Sequence, residues 1–373
     1  MATISARQTT PSTRRRFLLA TGTAAAAVAM PQVARALTIT WKYQSTWPSR
    51  DIFHEMAVGY AKRVNEMTGG RLRLDVLAAG TVVPAFQTQD AVHTGILDAS
   101  HGVTAYWYGK HRAFSLFGTP PSFGWDAHGL LGWFYHGGGE ALYNELVSEI
   151  LKLQIVGFLY FPMPTQPLGW FKKPVSGPLE LRNVRYRTAG LSAELSKELG
   201  AAVTMLPSGE IVPAMDRGIL DAAEFNNPSS DLALGFPDVA KAYVMQSHHQ
   251  PAESFEIIFN KTKFDSLPSE FKASLRNAAL ASSTDQLGMA YDRYSKALEE
   301  IKRRGVQIVK TPDSVLEAQL QAWDKVIAAQ SQDAFFKKVI DSQKAWVKRT
   351  GAYLQTNNLS SAALEAAYKH FFG

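Results

Sequence analysis

Four polar residues, Gln166, Arg187, Glu224 and Gln250, stand at or just beyond the ends of predicted strands, which is where open α/β sheets bind ligands. Arg187 offers a planar, permanently charged fork that matches a carboxylate. Glu224 would repel that carboxylate unless a cation lay between them. Gln166, together with a backbone carbonyl, supplies the neutral oxygens that a hard cation prefers. The chemistry implied is binding: an anion held by arginine and bridged to glutamate through a metal. Tyr106, in the run Tyr106-Trp107-Tyr108 after a predicted strand, is a candidate cleft wall, although most aromatic residues fill cores. Each of these residues also has an ordinary structural use, so the reading rests on the set.

Catalytic signatures are missing where they would be diagnostic: the chain has no GxSxG, no HExxH and no GxGxxG after a strand. Gly137-Gly138-Gly139-Glu140 lacks the rest of a phosphate loop and reads as a turn before a helix. His248 and His249 are adjacent, so on a strand they face opposite sides and do not grip one metal. With no cysteine in 373 residues, thiol catalysis, disulfides and cysteine-ligated metals are excluded. The rival to a receptor is a metal-assisted hydrolase using Glu224 as base.

The elements that must position these residues follow a repeated plan. Ala91–Ser100 (AVHTGILDAS) is copied at AMDRGILDAAE, Ala214 to Glu224, each copy preceded by Val-Pro-Ala, at Val83–Ala85 and Val212–Ala214. Each reads as a helix ended by glycine, then a short Ile-Leu strand carrying an Asp. The limited chemistry of helix-to-strand turns gives the same pattern without a repeat. Two such units predict two α/β lobes with a ligand cleft between them. Leu37–Tyr43 and Arg71–Leu77 alternate as strands around a helical stretch, Asp51–Thr68, a β-α-β order that predicts parallel pairing. Ile155–Phe161 and Val184–Arg187 are further strands, with Arg185 and Arg187 on one face. Ser269–Arg304, without internal proline, predicts one long helix with Leu287, Tyr291, Tyr294, Leu298 and Ile301 on a face; a break near Gly288 is the alternative. Shorter helices follow. The division expected is 37–160 mainly the first lobe, 161–260 mainly the second, and 261–373 a helical C-terminal region with bridging helices.

Residues 1–36 belong to export. Arg14-Arg15-Arg16-Phe17 precedes an apolar run too short to remain as a membrane anchor, and Ala34-Arg35-Ala36 is a small-x-small cleavage site. The twin-arginine pattern predicts Tat export with cleavage after Ala36 and a periplasmic product. The five arginines in this segment, with no acid, supply most of the excess of 39 Lys and Arg over 33 Asp and Glu. The remainder is near neutrality, which gives no support to a nucleic-acid partner.

RTAGLSAELSKELGAAVTMLPSGEIVPAMDRGILDAAEFNN, TQPLGWFKKP and the Trp47–Gly80 region resemble the substrate-binding proteins of TRAP (tripartite ATP-independent periplasmic) transporters. The closest branch is the one that binds 2-oxo acids such as pyruvate. The resemblance covers nearly all of the exported chain. It implies a non-enzymatic two-lobed receptor that closes on a small monocarboxylate, a 2-oxo acid or a 2-hydroxy acid such as lactate. Delivery would be to a permease of small and large membrane subunits. By motif, Arg187 corresponds to the carboxylate-binding arginine. Gln166, Glu224 and the main chain of Phe225 correspond to ligands of the Na⁺ or Ca²⁺ that bridges to the substrate, with Gln250 assigned to the same cation. Phe225 stands where related members have Trp, so the pocket shape differs. The branch includes homodimers formed through a long C-terminal helix, which Ser269–Arg304 would provide.

Overall fold

A computed structural model describes residues 38–373; the export segment and its cleavage site lie outside the described residues. Strand β1 (Ile39–Ser45), a helix Ile52–Met67 and β2 (Leu72–Leu77) open the structure, and β1 and β2 pair in parallel. Asp51 caps the helix by accepting the Phe53 N–H at 2.9 Å. Phe53, Met56, Ala57, Tyr60, Ala61 and Val64, at helical spacing, are its buried face. The remaining strands are β3 (Ala99–Gly102), β4 (Ile155–Met163), β5 (Gly169–Phe171), β6 (Arg185–Arg187), β7 (Ala202–Thr204), β8 (Ala222–Ala223), β9 (Ala242–Val244), β10 (Glu253–Asn260) and β11 (Gln307–Val309).

These strands form two sheets, ordered β2-β1-β3-β10-β4 and β11-β9-β5-β8-β6-β7. The first is parallel at β2-β1-β3 and antiparallel where β10 lies between β3 and β4. In the second, β6 runs parallel to both β7 and β8, whereas β5 is antiparallel to its two neighbours. The chain crosses between sheets after β4, after β9, and again on the way to β11. Strand β10 therefore lies in the first sheet although it falls within 161–260, and β11 lies in the second although it comes from the C-terminal third.

The third crossing is made by the helix Ser269–Arg303, which runs unbroken for 35 residues, about 53 Å. Gly288 does not interrupt it. The helix packs on β4 and the Ile52–Met67 helix beside the first sheet, and on a helix Pro228–Leu234 beside the second. The Ser283 hydroxyl accepts the Phe161 N–H at 2.9 Å, and Gln286 Nε2 donates to the Met56 carbonyl at 2.9 Å. Of the expected face, Ile301 is buried and Leu287, Tyr294 and Leu298 pack against the core, and the face extends over smaller residues. Ala278, Ala279, Ser282, Ser283, Gln286 and Ala290 are buried, whereas Tyr291 is 58% exposed. Small residues let the helix approach both sheets closely, which a spacing count of large apolar residues misses.

The repeated unit is real, and its register is sharper than the sequence suggested. Helices Thr88–Thr94 and Ser208–Asp216 are each followed by a left-handed glycine, Gly95 (φ 81) and Gly218 (φ 69). The Ile-Leu pair is not a strand as expected. It lies in the turn, with Ile96 and Ile219 exposed and Leu97 and Leu220 in the core, and the strands begin at Ala99 and Ala222. The Asp of each copy makes the same main-chain clasp. Asp98 donates its N–H to the Lys42 carbonyl (3.1 Å) and accepts the Lys42 N–H at Oδ2 (2.6 Å). Asp221 does the same with Arg185, at 2.9 and 3.1 Å. The counterpart of Val83-Pro84 is thus Leu206-Pro207 at the head of the second helix, not Val212-Pro213, since Pro213 lies inside that helix.

Within the second sheet, Trp170 stacks on Tyr243 at 4.2 Å between centroids, and both donate to Asp231 Oδ2 at 2.8 Å. Burial pushes the Asp231 carboxyl from 3.8 up to about 7, against the pull of those two donors. Between these values the folded state holds a proton that the unfolded chain has released, so Asp231 costs stability as pH rises through this window. Asp231→Asn keeps an acceptor for both donors. Its stability relative to the parent protein, read by urea unfolding without added cation, is expected to improve from about pH 4 to about pH 8; a pH-independent difference would contradict this.

Candidate functional site

The cavity between the sheets is built from three sources. The second sheet supplies Arg187, the last residue of β6, and Glu224 and Phe225, which follow β8. The first sheet supplies Tyr106, in a short turn after β3, and Glu253, the first residue of β10. The two crossing segments supply Gln166 and Gln250. These seven residues, with Trp47 and Asn226 among others, line one cavity of about 280 Å³. All six residues singled out from the sequence thus meet at one place.

Arg187 is 1% exposed, and its hydrogen bonds fix its plane. Nε donates to the Leu206 carbonyl at 2.9 Å, and Nη1 donates to the Glu224 carbonyl at 2.9 Å and to Glu224 Oε1 at 3.1 Å. Among the described residues Nη2 makes no hydrogen bond, which leaves one edge of the fork for a ligand. Phe225 lies under the guanidinium, 5.8 Å from its carbon. Arg185 is on the same strand but half exposed and paired with Asp221, so only Arg187 enters the cavity. The strand has just these three residues and its end turns inward at Arg187.

Glu224 is equally buried. Burial pushes its carboxyl upward, and the Arg187 charge opposes the shift. Its Oε2 has no partner, and neither has Gln166 Oε1 or Gln250 Oε1. One carboxylate oxygen and two amide oxygens, all buried in one cavity and none with a donor in good hydrogen-bond geometry, suit a hard cation that takes oxygen ligands, although the Thr188 hydroxyl and the Ala189 N–H also lie near the Glu224 carboxyl and pull it down. No group of three or more His, Cys, Asp and Glu is placed to hold a metal among the described residues, so a cation here would depend on the amides. The backbone approach around Glu224 is close: a Cβ on Gly169 of β5 would stand 2.5 Å from the Ala223 carbonyl oxygen.

Glu253 escaped the sequence reading. Its Oε2 accepts from Gln166 Nε2 and, at 3.5 Å, from Asn226 Nδ2. Burial pushes its carboxyl up to about 8; the Gln166 hydrogen bond opposes this and Glu224 adds to it. The signal was present: ESFEIIFN is a fully buried strand, and an acid in such a strand is unusual. Its other acid, Glu256, is taken up by Trp107 Nε1 and the Tyr143 hydroxyl.

Behind the cavity, Trp47 is held by the first copy of the repeat. Its Nε1 donates to His101 Nδ1 at 2.7 Å, and His101 Nε2 meets the Tyr160 hydroxyl. Burial pushes His101 down to about 3, so the ring is neutral and the Trp47 donor places its proton on Nε2. His248 and His249 point apart: His248 Nδ1 meets Ser122 Oγ and His249 Nδ1 meets Ser247 Oγ. A second cavity of about 330 Å³ behind β5 and β6 is lined by Leu168, Phe171, Leu181 and Tyr186 among others. None of its lining residues is an acid, Arg or Lys, so it offers an organic acid no charged partner.

Two sheets joined by three crossings around a cavity with a half-used arginine define a two-lobed solute receptor. Residues 43–337 match the model of the bacterial extracellular solute-binding proteins, family 7 (DctP). The monocarboxylate 2-oxoacid-binding periplasmic protein of Nostoc sp. is 31% identical over 323 residues, 86% of this chain and 88% of its own. A TRAP solute-binding protein of Bordetella bronchiseptica, a mixed-occupancy dimer with copurified calcium and picolinate, superposes with a TM-score of 0.82 at 26% identity, over 90% of this chain and 97% of its own. Another from Pseudoalteromonas atlantica, with bound sodium and pyruvate, gives 0.79 at 29% identity, over 90% and 100%. The chain belongs to this family: it is a periplasmic solute-binding protein of the TRAP type, a receptor and not an enzyme.

Proposed function

We propose that this receptor binds a small 2-oxo acid such as pyruvate, or a 2-hydroxy acid such as lactate, together with Na⁺ or Ca²⁺, and presents it to a TRAP permease of small and large membrane subunits. The observation that carries this reading is the free edge of Arg187 beside three unpartnered buried oxygens, Glu224 Oε2, Gln166 Oε1 and Gln250 Oε1. Arg187 takes the carboxylate. The cation sits against Glu224, Gln166, Gln250 and the main chain of Phe225, and draws the ligand's second donor atom toward it. Tyr106, Phe225 and Trp47 close the apolar sides. Pyruvate and picolinate, found in relatives, share one feature: a keto oxygen or ring nitrogen adjacent to the carboxylate, so both chelate a metal in a five-membered ring. That feature defines the ligand class better than chain length does. The hydrolase alternative gains nothing from the relatives, which are solute-binding proteins.

Calorimetry on ion-depleted protein is expected to show stoichiometric pyruvate binding only when Na⁺ or Ca²⁺ is added. Arg187→Ala should weaken it by at least about 100-fold, roughly 3 kcal/mol for a buried charge contact, while Arg185→Ala leaves it unchanged. Cation-independent binding, or turnover of the ligand, would sink the reading.

Two further parts of the proposal concern export and assembly. The twin-arginine segment directs Tat export with cleavage after Ala36, so intact mass of the periplasmic protein should correspond to a chain starting at Leu37; a start elsewhere would refute the site. Homodimerisation through the C-terminal helical region is the second part, and the last helix is the surface to test first. Ser269–Arg303 is occupied in bracing both sheets, whereas the last helix, Ser361–Phe372, exposes Leu364, Tyr368, Phe371 and Phe372, the last at 75%. Removing residues 359–373 is expected to convert a dimer to a monomer in light scattering without loss of pyruvate binding. An unchanged mass would place the interface elsewhere.

A further inference from the structure

The cavity at Arg187 is closed. Tyr106 excepted, no residue that lines it is more than 5% exposed, so an organic acid reaches the free edge of Arg187 only if the two sheets part somewhere. Tyr106, half-buried, belongs to the turn Thr104–Trp107 after β3. Facing this turn from the second lobe is the segment that follows Arg187 on β6. The edge where the two meet is where the cavity comes nearest to solvent.

Across that edge the fit is close. Gly190 is buried with φ +64, and a Cβ there would stand 2.9 Å from the Ala105 Cβ and 2.9 Å from Ser115 Oγ. Neither neighbour can swing away. The Ala105 Cβ is fixed by its main chain, and Ser115 Oγ, on the helix Phe114–Gly118, accepts the Leu191 N–H at 3.0 Å. Further along the same edge the Tyr108 hydroxyl donates to Glu194 Oε1 at 2.9 Å, on the helix Ser192–Glu198. Ala105 and Ala189 both line the cavity, so this contact runs along its rim. A side chain at position 190 would meet two separate obstacles. The left-handed backbone disfavours it whether the lobes are together or apart, whereas Ala105 and Ser115 obstruct it only when they are together.

We propose that Gly190 is the seat on which the lobes close, and that the absence of a side chain there sets how long a bound acid is retained. The proposal rests on the reading that the acid is held at Arg187. A methyl group at position 190 holds the rim ajar and leaves the way to Arg187 open, so it speeds release while capture by the parted lobes goes on as before.

The test is stopped-flow tryptophan fluorescence with pyruvate as the probe, in buffer containing both NaCl and CaCl₂; Trp47 lines the cavity and reports on it. Gly190→Ala should raise the dissociation rate at least about tenfold and change the association rate less than about threefold. Small-angle scattering at saturating pyruvate should show the variant more extended than the parent protein. Parting relieves the contact, so the ligand-free melting temperature should fall by no more than about 4 °C. In an Ala105→Gly/Ser115→Ala background, which vacates the space, adding Gly190→Ala should raise the dissociation rate less than about threefold, a coupling that backbone strain alone does not produce. An unchanged dissociation rate in Gly190→Ala, the same increase in both backgrounds, or loss of the ligand-free fold would overturn the role of Gly190 while pyruvate binding by the parent protein stands. A parent protein that binds no pyruvate would overturn both.

Discussion

The constraint on which this structure depends is a buried guanidinium that must stay half satisfied. A charge taken out of water needs partners, and Arg187 finds them in the Leu206 carbonyl and in both the carbonyl and the carboxylate of Glu224. Those bonds tie the end of β6 to the head of the Ser208–Asp216 helix and to the segment after β8. They also hold the free edge of the fork in place without using it. If the protein satisfied Arg187 completely, the second lobe would gain stability and the proposed anion site would be lost.

The same architecture occurs twice and is used for different ends. The Asp98–Lys42 and Asp221–Arg185 main-chain clasps put the two copies in register. Position by position, Gln44 on β1 then corresponds to Arg187, and His101 corresponds to Glu224. Gln44 turns back on the main chain of Val82 and Val83, much as Arg187 reaches Leu206. His101 holds Trp47. The first copy thus builds a neutral, aromatic wall and the second builds the charged one. An acid at the first position would face Tyr160 and the Trp47 donor in a site already filled; a histidine at the second would leave Arg187 without its counterion.

Much of this was legible in the sequence because the site residues sit where strand ends are easily recognised. Gln166, Arg187, Glu224 and Gln250 converge for that reason, and the β-α-β start was fixed by alternation and a good cap at Asp51. Three things were harder to read. The Ile-Leu pair has strand-like residue types, yet the glycine before it commits those residues to a turn. Between Leu275 and Ile301 the fully buried positions of the long helix are alanine, serine and glutamine, which a count of large apolar residues misses. Sheet membership of β10 and β11 depends on crossings whose direction local sequence does not encode, and with β10 went Glu253, because a second acid is visible as a site residue only once its strand is known to border the cleft.

The candidate site draws side chains from both sheets and from the segments that cross between them. Arg187 and Glu224 belong to the second sheet, Glu253 and Tyr106 to the first, and Gln166 and Gln250 to the crossings, where the Gln166 N–H bonds the Gln250 carbonyl at 3.2 Å. Hydrogen bonds that join the two bodies directly include Ser230 to Asp51 at 2.9 Å, the Leu191 N–H to Ser115 Oγ at 3.0 Å, and Tyr108 to Glu194 at 2.9 Å. Each contributes about 1 kcal/mol at most once the ordering it requires is deducted. Against them stands the crowding of two acids, Glu224 and Glu253, in one buried cavity, where Glu224 helps to push the Glu253 carboxyl up. Under the proposed function, a cation with its chelated acid would touch groups from both bodies and so add contacts across the cleft that the lobes do not make by themselves.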